Sequence, residues 1–299
     1  MLTRTGDLGQ SQRLTATLLA TRTRTRADEQ AVASGKAATS YAAIPAGAGR
    51  LLRAEDARRL QSTFIEQNEQ LSLRLRTTDQ VLGGVIAVAE RARGLLVQRL
   101  NGATGASVPL AAEAAAMLAE VAGQLNTTHA GEYLFAGSRS DSPPVTLPPT
   151  PITTADPALY YAGDGLRATA RIDVGDELEH GLAASEPPFA ELIAALGLAA
   201  QADGTQDRAG LEAALDQIGD ALDGLVGLRA GLGVGAARLE RVTETQRSTV
   251  LYLYETISGI EDTDLAEVMT RLAQDQASLE AAFLVTGRLA ALSLADYLR

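Results

Sequence analysis

The sequence contains no cysteine and no tryptophan, only two histidines, and aromatic residues at 4% of 299 positions. The lack of cysteine excludes a disulfide framework, a thiol nucleophile and any thiolate-held zinc. It also lets the chain enter an oxidising space without mispairing. With His129 and His180 far apart, a histidine-rich metal centre is excluded too. The scarcity of aromatics predicts an aliphatic core of Ala, Leu and Val, and hydrophobic residues at 46% supply enough of it. No run is long and unbroken enough to span a bilayer, and the start, MLTRTGDLGQSQRL, has no apolar leader core. These absences point to a scaffold, with neither membrane insertion nor a cleaved signal.

Positive charge is also scarce, at 26 basic against 37 acidic residues, for a net charge of −11. A general nucleic-acid binder needs a basic footprint and is excluded. The charge is unevenly distributed: residues 1–60 carry +5, residues 61–139 carry −1 and residues 140–299 carry −15. The two ends therefore attract, within one molecule or between neighbours.

Proline marks the organisation. Eight of the ten prolines fall between Pro143 and Pro188, the others being Pro45 and Pro109. Because proline breaks helices, residues 46–108 and 189–299 are free to form long ones. The reading is a mainly α protein: a long helical bundle or coiled-coil body formed by 1–139 and 189–299, with a β-rich insertion at 140–188. Within the insertion, SPPVTLPPTPITTADP (142–157) is an extended linker, and Leu166 to Val174 alternate as a strand does.

Three stretches read as helix. Residues 50–100 place Phe64, Leu71, Leu75, Leu82, Ile86, Leu96 and Leu100 at helical or heptad spacing. Residues 109–128 form a second helix, with Pro109 in its first turn. The third runs from an N-cap at Asp262 to 298, with apolar residues at seven of ten heptad positions from Leu265 to Tyr297. At 1.5 Å per residue it would be ~55 Å long, a coiled-coil seam that needs a long partner. Residues 10–33 contrast with it. Leu14, Leu18 and Val32 share a face, but TRTRTR (21–26) interrupts the seam and threonine is a mediocre helix former. This segment is expected to order only against a partner, and the acidic, apolar-striped C-terminal helix fits.

Candidate chemistry is weak throughout. Gly231-Leu232-Gly233-Val234-Gly235 has the wrong spacing for a phosphate loop and reads as a helix interruption or a close-packing point. Asp173, Asp176, Glu177 and Glu179 lack calcium-loop spacing and read as a solvated turn. Glu261, Asp262 and Asp264 suit the positive end of the helix they precede. No serine–histidine–carboxylate set is present. No catalytic, cofactor or metal residue is assigned, and the chain is read as non-enzymatic.

Several short motifs nevertheless carry a resemblance. Ser34-Gly35-Lys36 follows the first segment, and Arg91-Ala92-Arg93-Gly94-Leu95-Leu96-Val97-Gln98 is followed by Asn101-Gly102. Asn126 precedes Tyr133-Leu134-Phe135-Ala136-Gly137, and Tyr161-Ala162-Gly163-Asp164 opens the insertion. Arg229 to Glu240, Ser258-Gly259-Ile260-Glu261-Asp262-Thr263-Asp264-Leu265-Ala266, and Ser293 to Leu298 complete the set. In this order the motifs resemble the bacterial flagellin superfamily, and within it the proteins of the hook–filament junction. Residues 37–51 depart from the superfamily's pattern.

The resemblance implies an extracellular axial component of the flagellum, exported without a cleaved signal by the flagellar type III apparatus. Its terminal helices would fold as they assemble. Implied partners are the first hook-associated protein, flagellin, copies of itself, and an export chaperone on the C-terminal helix. The expected assembly contacts are Leu14, Leu18, Leu265, Leu272, Leu279, Phe283, Leu289 and Leu294. A short filament flagellin is the alternative within the superfamily. A cytoplasmic coiled-coil adaptor is the alternative outside it.

Overall fold

The computed structural model describes residues 2–37, 41, 47–101, 107 and 109–297, with side chains described from 12 to 288 within these. Six helices dominate: α1 (Leu2–Ser34), α2 (Ala48–Leu100), α3 (Leu110–Leu125), α4 (Pro187–Thr205), α5 (Arg208–Glu261) and α6 (Leu265–Tyr297). Two antiparallel hairpins complete it, β1 (Thr128–His129) with β2 (Glu132–Tyr133), and β3 (Thr169–Asp173) with β4 (Asp176–Glu179). The mainly α fold with a small β-containing central region is the one the sequence predicts. The chain divides into two compact units, Gln61–Ser248 and Met1–Leu60 with Thr249–Arg299.

In the unit spanning 61–248, α2 buries Phe64, Asn68, Leu71, Leu75, Thr78, Leu82, Val85, Ala89, Ala92 and Leu96. Alternating steps of three and four residues make this an uninterrupted heptad seam. Helix α5 answers with Leu211, Ala214, Ile218, Ala221, Leu225, Leu232 and Leu239 in the same phase. The two helices run antiparallel. The Arg229 guanidinium clasps Asp79 with bonds of 2.7 and 3.0 Å, and Arg247 reaches Glu69 at 2.8 Å. Helices α3 and α4 close the core, where Phe135 meets Phe189 edge-on at 5.8 Å.

The hairpin β3–β4 is anchored by a buried polar clamp. Both the Asn68 and the Gln246 side-chain amides donate to the carbonyl of Ile172, at 3.0 and 2.8 Å, and Asn68 also donates to Gln246 Oε1. All three residues are at least 98% buried, so the clamp satisfies groups that would otherwise be stranded in the core.

Two expectations are corrected. Helix α5 runs through Gly231 to Gly235 without interruption, because Leu232 continues the buried seam while Gly231 and Gly233 face outward. The cap of α6 is Asp264 rather than Asp262: its Oδ1 accepts from the backbone N–H of Ala266 and Glu267, and the helix begins at Leu265. Helix α1 is one unbroken helix and packs on α6, the helix expected to partner it.

Candidate assembly surface

The other unit shows how α1 forms. Threonines at 17, 23 and 25 return their hydroxyls to the carbonyl four residues earlier, at 2.9–3.0 Å. Each hydroxyl is satisfied within its own helix, at a small cost to helix stability that packing must offset. Its inward line is Leu14, Leu18, Thr21, Thr25, Asp28, Val32 and Gly35, again in steps of three and four. An alternation by twos cannot stay on one helical face, so TRTRTR places only Thr21 and Thr25 inside and turns its arginines out.

Helix α1 packs antiparallel on α6, whose inward line is Val268, Leu272, Asp275, Leu279 and Ala282. Arg24 lies 3.4 Å from Asp275 and Arg271 lies 4.0 Å from Asp28, one pair in each direction across the seam. Thr21, Thr25, Asp28 and Asp275 are all more than 90% buried. Oδ2 of each carboxylate is buried without a hydrogen bond. This seam has a polar middle.

The motifs flanking the helix pair meet here. Gly35 adopts φ +72°, ending α1 in the left-handed conformation that glycine tolerates. Its carbonyl then accepts the Thr263 N–H at 3.1 Å, while Ala37 N–H donates to the Glu261 carbonyl at 2.6 Å. Lys36 Nζ bonds Glu261 at 2.7 Å, which raises the lysine pKa above its ordinary value. The Ser34-Gly35-Lys36 and Ser258–Ala266 segments thus form one joint that sets the start of α6 against the end of α1.

In the 61–248 unit, Tyr133–Gly137 and Tyr161–Asp164 form a second joint. Ser138 donates from its backbone and hydroxyl to the Asp164 carboxylate, holding that carboxyl below its usual range. Gly137, at φ +69°, lies so close to Asp164 that any side chain would collide with it. Asn126 acts as a short strand, accepting from Val145 N–H at 2.9 Å and donating to its carbonyl at 2.8 Å. These recognisable motifs are joints of the fold, and none forms a reactive group. Among the described residues no cluster could hold a metal ion, and no helix is long and apolar enough to cross a membrane.

What α1 leaves uncovered is apolar. Beside its buried line, α6 exposes Leu265 at 45%, Met269 at 55% and Phe283 at 60%, and Leu284 and Val285 follow. Leu251, Tyr252 and Tyr254 of α5 are exposed in the same unit. Of the expected contact residues, Leu14, Leu18, Leu272 and Leu279 are half-buried in the α1–α6 seam, while Leu265 and Phe283 stand outside it. Leu289 and Leu294 lie outside the residues whose side chains are described. Sequence reasoning missed Thr21, Thr25, Asp28 and Asp275, because polar residues carry no hydrophobic signal. Only the heptad spacing from Leu14 and Leu18 could have found them.

Residues 215–298, which hold most of α5 and all of α6, match the bacterial flagellin C-terminal helical region. This chain therefore carries a flagellin-type C-terminal segment. In fold it is similar to FlgL, the flagellar hook-associated protein 3. FlgL of Bacillus cereus is 20% identical, with a TM-score of 0.57 over 70% of this chain and 99% of that one. A putative flagellar hook-associated protein of Vibrio parahaemolyticus is 14% identical, with a TM-score of 0.60 over 74% and 100%. Hook-associated protein 3 of Legionella pneumophila is 13% identical, with a TM-score of 0.53 over 71% and 98%. No curated protein matches the sequence itself.

Proposed function

We propose that this chain is a structural, non-enzymatic component of the bacterial flagellum that joins hook to filament. The observation that carries the reading is the half-covered apolar face of α6, in a segment of flagellin C-terminal type. An uncovered face of this length is an interaction surface or an aggregation hazard. Assembly with copies of itself, with the first hook-associated protein and with flagellin turns it into the former. An export chaperone on α6 would protect it beforehand.

In this reading the body is made by 1–139 and 189–299, and the insertion at 140–188 faces outward. Leu14, Leu18, Leu265, Leu272, Leu279, Phe283, Leu289 and Leu294 become fully buried on assembly. Ordering the terminal helices costs ~1–2 kcal/mol per residue in backbone entropy, so it occurs when many contacts form together. The protein reaches the flagellum by type III export.

Deletion of the gene tests the reading. Hooks without filaments, with flagellin lost to the medium, are expected. Normal filaments would overturn it in favour of a minor filament flagellin, a second reading supported by the flagellin-type C-terminal match. In the deleted strain, Phe283→Asp and Leu279→Asp chains should fail to restore filaments while keeping the thermal unfolding of the 61–248 unit. Restored filaments would remove α6 from the contact.

A further inference from the structure

Beside the line it buries against α6, helix α1 carries a second one: Leu19, Arg22, Arg26 and Ala33, separated by three, four and seven residues. All four are exposed, Leu19 at 61%. At 3.6 residues per turn they share one side of the helix, roughly 100° round from the buried line. The uncovered side of α6 carries Met269, Gln276, Glu280 and Phe283, separated by seven, four and three residues and likewise exposed.

The two spacings are one pattern read in opposite directions. Laid antiparallel, the lines meet at four positions at once: Leu19 with Phe283, Arg22 with Glu280, Arg26 with Gln276, and Ala33 with Met269. Each meeting is chemically matched. Leu19 covers a ring that is 60% exposed, and the small Ala33 leaves room for Met269. The two guanidiniums meet a carboxylate and an amide oxygen, both acceptors. Within one chain none of Arg22, Arg26 and Glu280 makes an ion pair with another described residue. A chain cannot form these contacts with itself, because its own α1 lies on the neighbouring line of α6, with Arg24 at Asp275 and Asp28 at Arg271.

We propose that α1 of a second copy covers the uncovered line of α6, antiparallel and in the register that sets Leu19 on Phe283. Each α6 then lies between two α1 helices, and each α1 between two α6 helices. The two patches differ, so the contact is head-to-tail. It joins the basic end of one chain, with +5 over residues 1–60, to the acidic half of another, with −15 over residues 140–299. The proposal rests on assembly with copies of itself as described above.

The chain has no cysteine, so introduced cysteines test the register directly. Differently tagged Leu19→Cys and Phe283→Cys chains are expressed together in cells lacking the natural gene, and isolated flagella are treated with a short bis-maleimide. A dimer carrying both tags is expected, as it is for Ala33→Cys with Met269→Cys, whereas the mismatched pair Leu19→Cys with Met269→Cys should give none. Adding Arg22→Glu to the Leu19→Cys chain should lower the dimer yield at least threefold, and adding Glu280→Arg to its partner should restore it. Failure of both matched pairs, cross-links to flagellin or the first hook-associated protein in their place, equal yield from the mismatched pair, or a yield insensitive to the charge changes would overturn the proposal while leaving the flagellar reading intact. Absence of the unsubstituted chain from the flagella would overturn both.

Discussion

The molecule contains two antiparallel helix pairs built on the same heptad rule and filled in opposite ways. Between α2 and α5 the seam is mostly leucine, isoleucine, valine and alanine; of its polar members Asn68 and Gln246 form the clamp on Ile172, and Thr78 and Thr243 bond carbonyls of their own helices. Between α1 and α6 the middle of the seam is Thr21, Thr25, Asp28 and Asp275, with two buried carboxylate oxygens that accept no hydrogen bond. Periodicity alone therefore sets which residues face inward, and side-chain chemistry sets how strongly they hold. A seam with buried, imperfectly paired charges specifies register at the expense of strength. It is suited to a helix pair that must separate or await further partners, whereas the α2–α5 seam is suited to remaining folded by itself.

The largest effect that sharpens this contrast is in the apolar seam. Leu82→Ala removes a fully buried side chain and should cost roughly 2–5 kcal/mol, read as a lower midpoint in denaturant unfolding of the 61–248 unit. A cost below that range would mean the α2–α5 seam is looser than its burial indicates. The opposite sign is expected in the polar seam. Replacing Asp28 and Asp275 together by leucine should stabilise the α1–α6 pair by about 1–4 kcal/mol, seen as slower amide exchange in residues 12–34. Faster exchange would show that the crossed Arg–Asp pairs are net stabilising, which breaks the comparison.

The smallest effect concerns Asp79. Its bond from Arg229 lowers its pKa below the ordinary value, so the folded state holds its proton less tightly than the unfolded chain. The associated stability is fully present above the unfolded pKa near 4 and is lost as pH falls through the folded value. Both partners are nearly half exposed, so solvent screening limits the pair to less than ~1 kcal/mol. Arg229→Gln should return the Asp79 carboxyl to its ordinary range in a carbon-13 titration. An unchanged titration would assign the shift to another cause.

Much of the fold was legible from the sequence, for reasons that individual residues make clear. Proline's confinement to the middle left α2 and α5 uninterrupted, and the spacing of Phe64, Leu71, Leu75, Leu82 and Leu96 marked a face that is indeed buried. Strand alternation after Leu166 led to the β3–β4 hairpin. Glycine misled. Gly231–Gly235 resembles a break only if glycine is judged locally; a 54-residue helix packed along a long seam absorbs the local cost. Threonine in α1 is a weak helix former, as the sequence indicates, and α1 lies packed along α6.

By itself, then, the sequence determined the mainly helical class, the proline-marked insertion, the opposite charge of the two ends and the apolar periodicity that drives burial. These follow from local covalent constraints and from the 3.6-residue turn. Only the tertiary structure decided which stripe of α6 faces α1 and which is left uncovered, that Asp264 caps the helix, and that Lys36 meets Glu261. It also decided that the Tyr133–Gly137 and Tyr161–Asp164 segments close on each other. Those outcomes depend on which distant groups can satisfy one another at once, and no local rule contains that information.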